Sequence, residues 1–314
     1  MLLGQSSAKR PVELGWLLLL GILWGAPYAL TKISLETIPP ITLVAARVSL
    51  AAAALWLIVA LRGCELPRDR NLIGRLVGQG VITCVIPYTL IAFGQQAVDS
   101  ALAAILNSST PIFVCLIGVL WSRHERMTSR KIAGPAIGFA GVVLIAGASA
   151  LSGLGAQAIG QAAIIVATIS SAFSVIIGRR FGAMAPEVVA ASMLTSAAAL
   201  LLPLCLIEAP WTISPSLPSV AALFANAFIA TAFGFVIYFR LIRTIGSIAT
   251  ASAGYLKPAV GVLIGVLIFG EPFTVVTALG LIAILVGVAI INIRIRRPGH
   301  SQENTPPYAK DRIA

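Results

Sequence analysis

Two basic residues lie inside long apolar stretches of the sequence. Lys257 lies within residues 247–269 and Arg47 within residues 40–61. A cation near the centre of a membrane helix costs about 2.5–3.5 kcal/mol, so each is expected to face the protein interior or water. An ammonium and a guanidinium there could bind an anionic group such as a carboxylate, the guanidinium through two parallel hydrogen bonds. The alternative is that one or both bond helix carbonyls and stabilise the helix bundle.

Pro258 follows Lys257 directly and has no backbone N–H. The carbonyl of Gly254, four residues earlier, therefore loses its helical partner. We expect a local opening of the helix beside the cation, which is suited to a substrate carboxylate.

Aromatic and polar residues elsewhere in the apolar stretches could line the same pathway. Each single Ser or Asn could instead form a hydrogen bond between helices, and Trp or Tyr near a helix end could anchor the membrane interface. Taken together they predict a partly polar central cavity. With Lys257 and Arg47, the predicted substrate-binding residues are Trp24, Tyr28, Tyr88, Asn107, Ser174, Asn226, Tyr238 and Tyr255.

The eleven acidic residues all lie in loops, in tails or at the ends of apolar stretches. A proton-coupled exporter of organic cations would need a buried carboxylate that exchanges a proton for the cation.

The two histidines, His124 and His300, are isolated, and the four cysteines show no paired spacing. We therefore expect no metal and no cofactor.

The elements that must position these residues are membrane helices. Hydrophobic residues make up 58% of the 314 positions, charged residues only 11%, and the mean hydropathy is +0.97. Such a chain must use lipid as its solvent, because a soluble domain normally has about a quarter of its residues charged. Stretches of about 20 apolar residues predict ten spans. They are 14–31, 40–61, 72–93, 100–121, 131–148, 159–178, 186–207, 218–239, 247–269 and 274–292.

The basic residues are distributed very unevenly over the predicted loops. If the N-terminus is cytoplasmic, nineteen of the 22 Lys and Arg fall on the cytoplasmic side, two lie within helices, and only Lys32 lies outside. This asymmetry is the positive-inside pattern, and it predicts that both termini are cytoplasmic. It also accounts for the net charge of +11 without a nucleic-acid partner.

The two halves of the chain repeat. Residues from Ser100 to Pro111 match residues from Ser247 to Pro258 at an offset of 147, and Gly134 and Gly141 match Gly280 and Gly287 at an offset of 146. Five helices per copy is an odd number, so the second copy enters the membrane from the opposite side. Inverted repeats are typical of secondary transporters, with the substrate site near the midplane between the repeats. The predicted organisation is a tail (1–13), a first repeat (14–148), a loop (149–158), a second repeat (159–292) and a tail (293–314).

These residues resemble the EamA-type branch of the drug/metabolite transporter superfamily. The resemblance lies in several short motifs: Leu23-Trp24-Gly25, the stretch from Ala46-Arg47 to Leu55, Ser100–Pro111, Pro258, and Gly270-Glu271 followed by Thr274, Gly280 and Gly287. His124 stands before Glu125 where the family usually has Gly. The resemblance implies a ten-helix transporter of the plasma membrane, and such proteins export amino acids, other metabolites or drugs, or move sugars.

We therefore expect an all-α integral membrane protein of the bacterial inner membrane. It is expected to be a secondary transporter, not an enzyme, that exports small metabolites such as amino acids by alternating access. Its partners would be a small-molecule substrate and the lipid bilayer, and assembly as a homodimer is left open. The alternatives are a drug exporter of broad specificity, a non-transporting scaffold and a membrane enzyme. Drug resistance that depends on a pH gradient would identify the first of these alternatives.

Overall fold

The computed structural model of the protein describes residues 10–121, 129–151, 157–257, 259–260 and 274–292. These residues form helices and no strands. The helices are α1 (Pro11–Leu35), α2 (Pro40–Arg62), α3 (Arg70–Ala97), α4 (Ser100–Asn107 and Thr110–Trp121), α5 (Ser129–Leu151), α6 (Ala158–Phe181), α7 (Pro186–Glu208), α8 (Leu217–Thr244), α9 (Ser247–Ala251, then 253–257) and α10 (Val275–Asn292). Residues 1–9 and 293–314 of the tails, Glu125, Glu271, Pro258 and the second half of the predicted span 247–269 lie outside the described residues.

Six of the helices, α1, α2, α3, α6, α7 and α8, are long and apolar enough to cross a membrane. Shorter apolar helices cover Leu102–Gly118, Ile132–Leu144 and Ala278–Ile291. Large apolar side chains lie on the outside, such as Leu57 at 62% exposure. Polar side chains such as Gln79 and Thr168 are buried, as expected of a protein dissolved in lipid.

Two of the predicted spans are interrupted helices. In α1, turns at Trp24–Gly25 separate Arg10–Leu23 from Pro27–Leu35. In α4, the break lies at Ser108–Ser109, just before Pro111. Because Pro111 has no N–H, the carbonyl of Asn107 lacks its helical donor, and the hydroxyl of Thr110 donates to that carbonyl at 2.6 Å instead.

The repeated glycines contact each other across the two halves. A Cβ on Gly134 would lie 3.2 Å from the carbonyl oxygen of Gly287, and a Cβ on Gly141 would lie 2.7 Å from that of Gly280. Gly134 thus contacts Gly287, the repeat equivalent of Gly141. Gly141 in turn contacts Gly280, the repeat equivalent of Gly134. This reciprocal pattern is the mark of a two-fold interface, and it supports an inverted arrangement of the two halves.

Other helix pairs follow the same pattern. Helix α2 packs along α7, its counterpart in the second half. Helix α3 packs on α6, and equivalently α8 packs on α1. Both α3 and α8 also contain a π-helical segment, Val81–Val85 and Asn226–Phe233. Such segments are rare and are often found at functional sites.

Candidate functional site

A cavity lies between the two halves of the chain. Helices α1, α2, α3 and α4 of the first half and α6, α8 and α9 of the second half contribute to its wall. Eight of the ten predicted site residues line it: Trp24, Tyr28, Arg47, Tyr88, Asn107, Ser174, Tyr238 and Lys257. The structure therefore brings together residues that are up to 233 positions apart in the sequence.

The ammonium of Lys257 lies between α4 and α1. Its Nζ donates to Oδ1 of Asn107 at 2.9 Å and to the hydroxyl of Tyr28 at 3.4 Å. It also lies 5.6 Å from the ring centres of both Trp24 and Tyr28, within range of a cation–π interaction. Among the described residues, no carboxylate forms an ion pair with it.

The carbonyl of Gly254, for which a proline four residues later can supply no N–H, has a donor from another helix. The hydroxyl of Ser108 in α4 donates to this carbonyl at 3.1 Å. The break in α4 thus supplies the hydrogen bond that α9 lacks, and the interrupted helices of the two halves meet at this point. The cation of Lys257 is the group of α9 that could bind an anion.

Arg47 in α2 is the second cation of the wall, and it is only 8% exposed. Its Nε donates to Oγ1 of Thr231 at 2.7 Å, and its guanidinium carbon lies 4.0 Å from the ring centre of Tyr88. Thr231 in turn donates to the carbonyl of Asn226, five residues earlier in the π-helical segment. As with Lys257, no carboxylate of the described residues forms an ion pair with Arg47.

Aromatic rings form much of the remaining wall. Trp24 stacks against Tyr238 with ring centres 5.3 Å apart, and Phe235 lies edge-on to both rings. The indole Nε1 of Trp24 donates to the carbonyl of Ala230 at 2.9 Å. A side chain on Gly234 would overlap this indole, since a Cβ there would lie 2.6 Å from Nε1. The break in α1 thus places Trp24 against the π-helical segment of α8.

Two predicted site residues, Asn226 and Tyr255, lie behind the wall and do not line the cavity. Asn226 is fully buried, and its Nδ2 donates to Oγ1 of Thr31 at 3.1 Å, which joins α8 to α1. Tyr255 is also fully buried, and its hydroxyl donates to the carbonyl of Pro135 in α5. The contact of Asn226 is the hydrogen bond between helices that the sequence left open as the alternative. For Tyr255 the alternative was an anchor at the membrane interface, and its buried hydrogen bond to α5 is a different role.

Further wall residues were not singled out from the sequence. They are Thr83 in α3, Thr110 in α4, Ser171 in α6 and Phe235 in α8. The repeat could have identified one of them, because Thr110 is the residue of the first half that is equivalent to Lys257 at the offset of 147. The other three have no distinguishing pattern, since isolated Ser, Thr and Phe are common throughout the chain.

The cavity wall contains no acidic residue among the described residues. Three of the described acids instead join helices at their ends. Glu13 accepts from Arg240 and from Thr244, Glu187 pairs with Arg62, and Glu208 accepts from the first turn of α2. In the same part of the chain, no group of three or more His, Cys, Asp and Glu comes together. The site is therefore positively charged and aromatic.

A membrane bundle with two matching halves, closed around a central cavity, is the architecture of a secondary transporter. The sequence profile of the EamA-like transporter family matches residues 12–147 and again residues 158–293. The chain belongs to this family and carries its domain twice.

The chain is similar along most of its length to proteins named as transporters. An uncharacterized inner membrane transporter of Escherichia coli, YedA, is 29% identical over 293 residues, covering 89% of this chain and 90% of that protein. A probable amino-acid metabolite efflux pump of Salmonella typhimurium is 25% identical over 305 residues, covering 89% and 95%. The names of the family and of these relatives indicate a membrane transporter with a small-molecule substrate rather than an enzyme.

A solved crystal structure shares the fold. It superposes with a TM-score of 0.74 at 21% identity, covering 90% of this chain and 96% of that one. This likeness concerns the fold alone.

Proposed function

We propose that this protein is a secondary transporter that exports small metabolites, such as amino acids, by alternating access at a midplane site. The observation that supports this most directly is the cavity between the two halves, which contains two cations with no carboxylate partner among the described residues. A charge buried in this way is costly unless it is paired, and such charges often mark a substrate pathway. A substrate carboxylate would supply that partner.

Lys257 and Arg47 are assigned to the substrate carboxylate in this proposal. Lys257 is held by Asn107 and Tyr28, and Arg47 by Thr231 and the ring of Tyr88. These contacts hold both side chains at the cavity wall. The rings of Trp24 and Tyr238, together with Ser174, would contact the rest of the substrate.

Alternating access is supported by the symmetry of the halves. The glycine contacts between α5 and α10 are reciprocal, and the interrupted helix α4 meets α9 beside the cavity. Two copies related by a two-fold axis can exchange conformations, so that the cavity opens first to one side and then to the other. In this proposal the helices bend at the π-helical segments of α3 and α8, since such segments often occur at functional sites.

The proposed topology has ten spans in two five-helix repeats, 14–148 and 159–292, with cytoplasmic tails 1–13 and 293–314 and an external loop 149–158. The match of the family profile to each half supports the two repeats. The concentration of Lys and Arg on one side supports the orientation. The inner-membrane name of the Escherichia coli relative supports the location.

The test is efflux from proteoliposomes that contain the purified protein. They are loaded with radiolabelled amino acids and organic acids, and we expect faster efflux than from liposomes without protein. Lys257→Ala should lower this rate, whereas Arg75→Ala, at an exposed position of α3, should not. If no loaded metabolite leaves faster than from empty liposomes, the proposal is wrong.

Export of lipophilic cations is the alternative that the site disfavours. The two cations in the wall would repel such a substrate, and the described wall offers no carboxylate to bind it. Cells that express the protein should therefore gain no tolerance to lipophilic cations. Tolerance to lipophilic cations that depends on a pH gradient would instead indicate a drug exporter.

A further inference from the structure

We propose that the substrate is a small organic acid that carries one or two carboxylates and no ammonium group. This inference rests on the proposed function and narrows its substrate class, since it replaces amino acids with organic acids among the small metabolites. It distinguishes hydroxy acids and related carboxylates from the zwitterionic amino acids that differ from them only by the ammonium. Three features of the wall support it.

The first feature is the charge of the wall. Arg47 and Lys257 contribute two positive charges, and none of the described wall residues is acidic. A bound amino acid would bring its own cation into this low-dielectric space beside two others. A substrate ammonium needs a carboxylate or an equivalent partner when it leaves water, and the described wall offers none.

The second feature concerns the aromatic rings, which could otherwise bind an ammonium through their faces. Cations of the protein already contact three of the five rings in the wall. Lys257 lies near Trp24 and Tyr28, and Arg47 stacks on Tyr88. The remaining two rings, Phe235 and Tyr238, pack against Trp24 and against each other.

The third feature concerns the neutral side-chain oxygen atoms of the wall, several of which already form hydrogen bonds within the protein. Oδ1 of Asn107 accepts from Lys257, and Oγ1 of Thr31 accepts from Asn226. Oγ1 of Thr83 donates to Oγ of Ser174. Oε1 of Gln95, which also lines the cavity, has no hydrogen-bond partner in the described part of the chain but is fully buried in this structure. The three N–H groups of an ammonium would therefore compete with the protein's own donors for the oxygen atoms of Asn107, Thr31 and Ser174.

Donors, in contrast, remain available for carboxylates. An ammonium has three N–H donors, and among the described residues Lys257 directs them at two acceptors, Asn107 and Tyr28. A guanidinium has five, and Arg47 uses its Nε for Thr231. Its terminal nitrogens form no other hydrogen bond to the described residues, so they can bind a carboxylate through two hydrogen bonds.

The test compares pairs of substrates that differ only in the ammonium. Proteoliposomes with the purified full-length protein are loaded with L-malate or L-aspartate, and separately with L-3-phenyllactate or L-phenylalanine. Efflux is corrected for liposomes without protein. In at least one pair we expect the hydroxy acid to leave about tenfold faster than the amino acid, which corresponds to about 1.4 kcal/mol.

Variants of Lys257 and Arg47 test whether the two cations cause the preference for the hydroxy acid over the amino acid. Lys257→Met and Arg47→Gln should each reduce efflux of the hydroxy acid, whereas Lys257→Arg should keep the preference and Arg75→Gln should leave efflux unchanged. Thermal stabilisation of each purified variant by malate or phenyllactate reports binding independently of transport. It also shows whether a variant is folded.

The outcomes separate this inference from the proposed function. If each amino acid leaves as fast as its hydroxy acid, or faster, the inference is overturned while metabolite export stands. If the preference persists in folded Lys257→Met and Arg47→Gln, the inference is also overturned, since the cations would not be its cause. If no member of either pair, and no other loaded metabolite, leaves faster than from empty liposomes, both proposals fail.

Discussion

The ammonium of Lys257 in α9 donates a 2.9 Å hydrogen bond to Oδ1 of Asn107 in α4. One residue further along α4, Ser108 donates to the carbonyl of Gly254 in α9. Two neighbouring contacts thus join the corresponding helices of the two halves at the cavity wall. A substrate that binds Lys257 would therefore act at the junction between the halves, which a carrier must rearrange during transport.

The bond between Lys257 and Asn107 should be measurable as a coupling energy. We expect Lys257→Met and Asn107→Ala to be non-additive by about 1–2 kcal/mol in the free energy of unfolding, as for a hydrogen bond to a charged group. Chemical denaturation of the two single variants and the double variant in detergent measures this. As a control, Lys32→Met combined with Asn107→Ala should be additive, because Lys32 bonds the carbonyl of Gln95 instead. Additivity in the first pair would show that the bond does not contribute.

The glycine contacts between α5 and α10 predict a position-specific cost of added volume. A Cβ on Gly287 would lie 2.6 Å from the backbone nitrogen of Gly138, whereas a Cβ on Gly78 in α3 would meet nothing within 4 Å. Gly287→Ala should therefore destabilise the protein by about 1–3 kcal/mol through overpacking. Gly78→Ala should be neutral or stabilise by up to about 1 kcal/mol, since Ala favours the helix. Thermal unfolding in detergent compares them, and equal stability of the two variants would contradict the two-fold packing.

Glu208 at the end of α7 caps the first turn of α2. Its carboxylate accepts from the backbone of Ile41 at 3.0 Å and from the backbone and hydroxyl of Thr42 at 2.7 and 2.8 Å. Glu208→Ala should lower the free energy of unfolding by about 1–2 kcal/mol, because it removes both the cap and a negative charge at a helix N-terminus. Glu36→Ala, at an exposed site, is the control and should change it little. A similar loss in both variants would rule out a specific capping role.

The proposed orientation predicts which loops are reached from outside the cell. Ser214, between α7 and α8, is exposed, and Cys64, between α2 and α3, is partly exposed. In spheroplasts, a membrane-impermeant maleimide should label Ser214→Cys in a chain without its native cysteines. It should label a chain that retains only Cys64 only after the membrane is permeabilised. If Cys64 is labelled from outside and Ser214→Cys only after permeabilisation, the protein has the opposite orientation. If both are labelled from outside, the odd number of spans per repeat is wrong.

Much of the fold could be predicted from local sequence. Apolar stretches of membrane length predicted helices such as α2 and α7, and the offset of 146–147 residues predicted that the halves match. The interruptions in α1 and α4 were not predicted. Pro27 and Pro111 were visible, but whether a proline breaks or merely bends a membrane helix depends on which neighbours satisfy the freed carbonyl. In α4 the hydroxyl of Thr110 does so.

For the site, the sequence determined which residues are costly to bury, and so it identified Arg47 and Lys257. Only the tertiary structure decided that both line one cavity, whereas Asn226 and Tyr255 lie behind its wall. The physical reason is that hydropathy depends on composition along a segment, while the direction of a side chain depends on the rotation of its helix. In lipid, where the outside of every helix is apolar, that rotation is set by close packing such as the contact of Gly134 with Gly287.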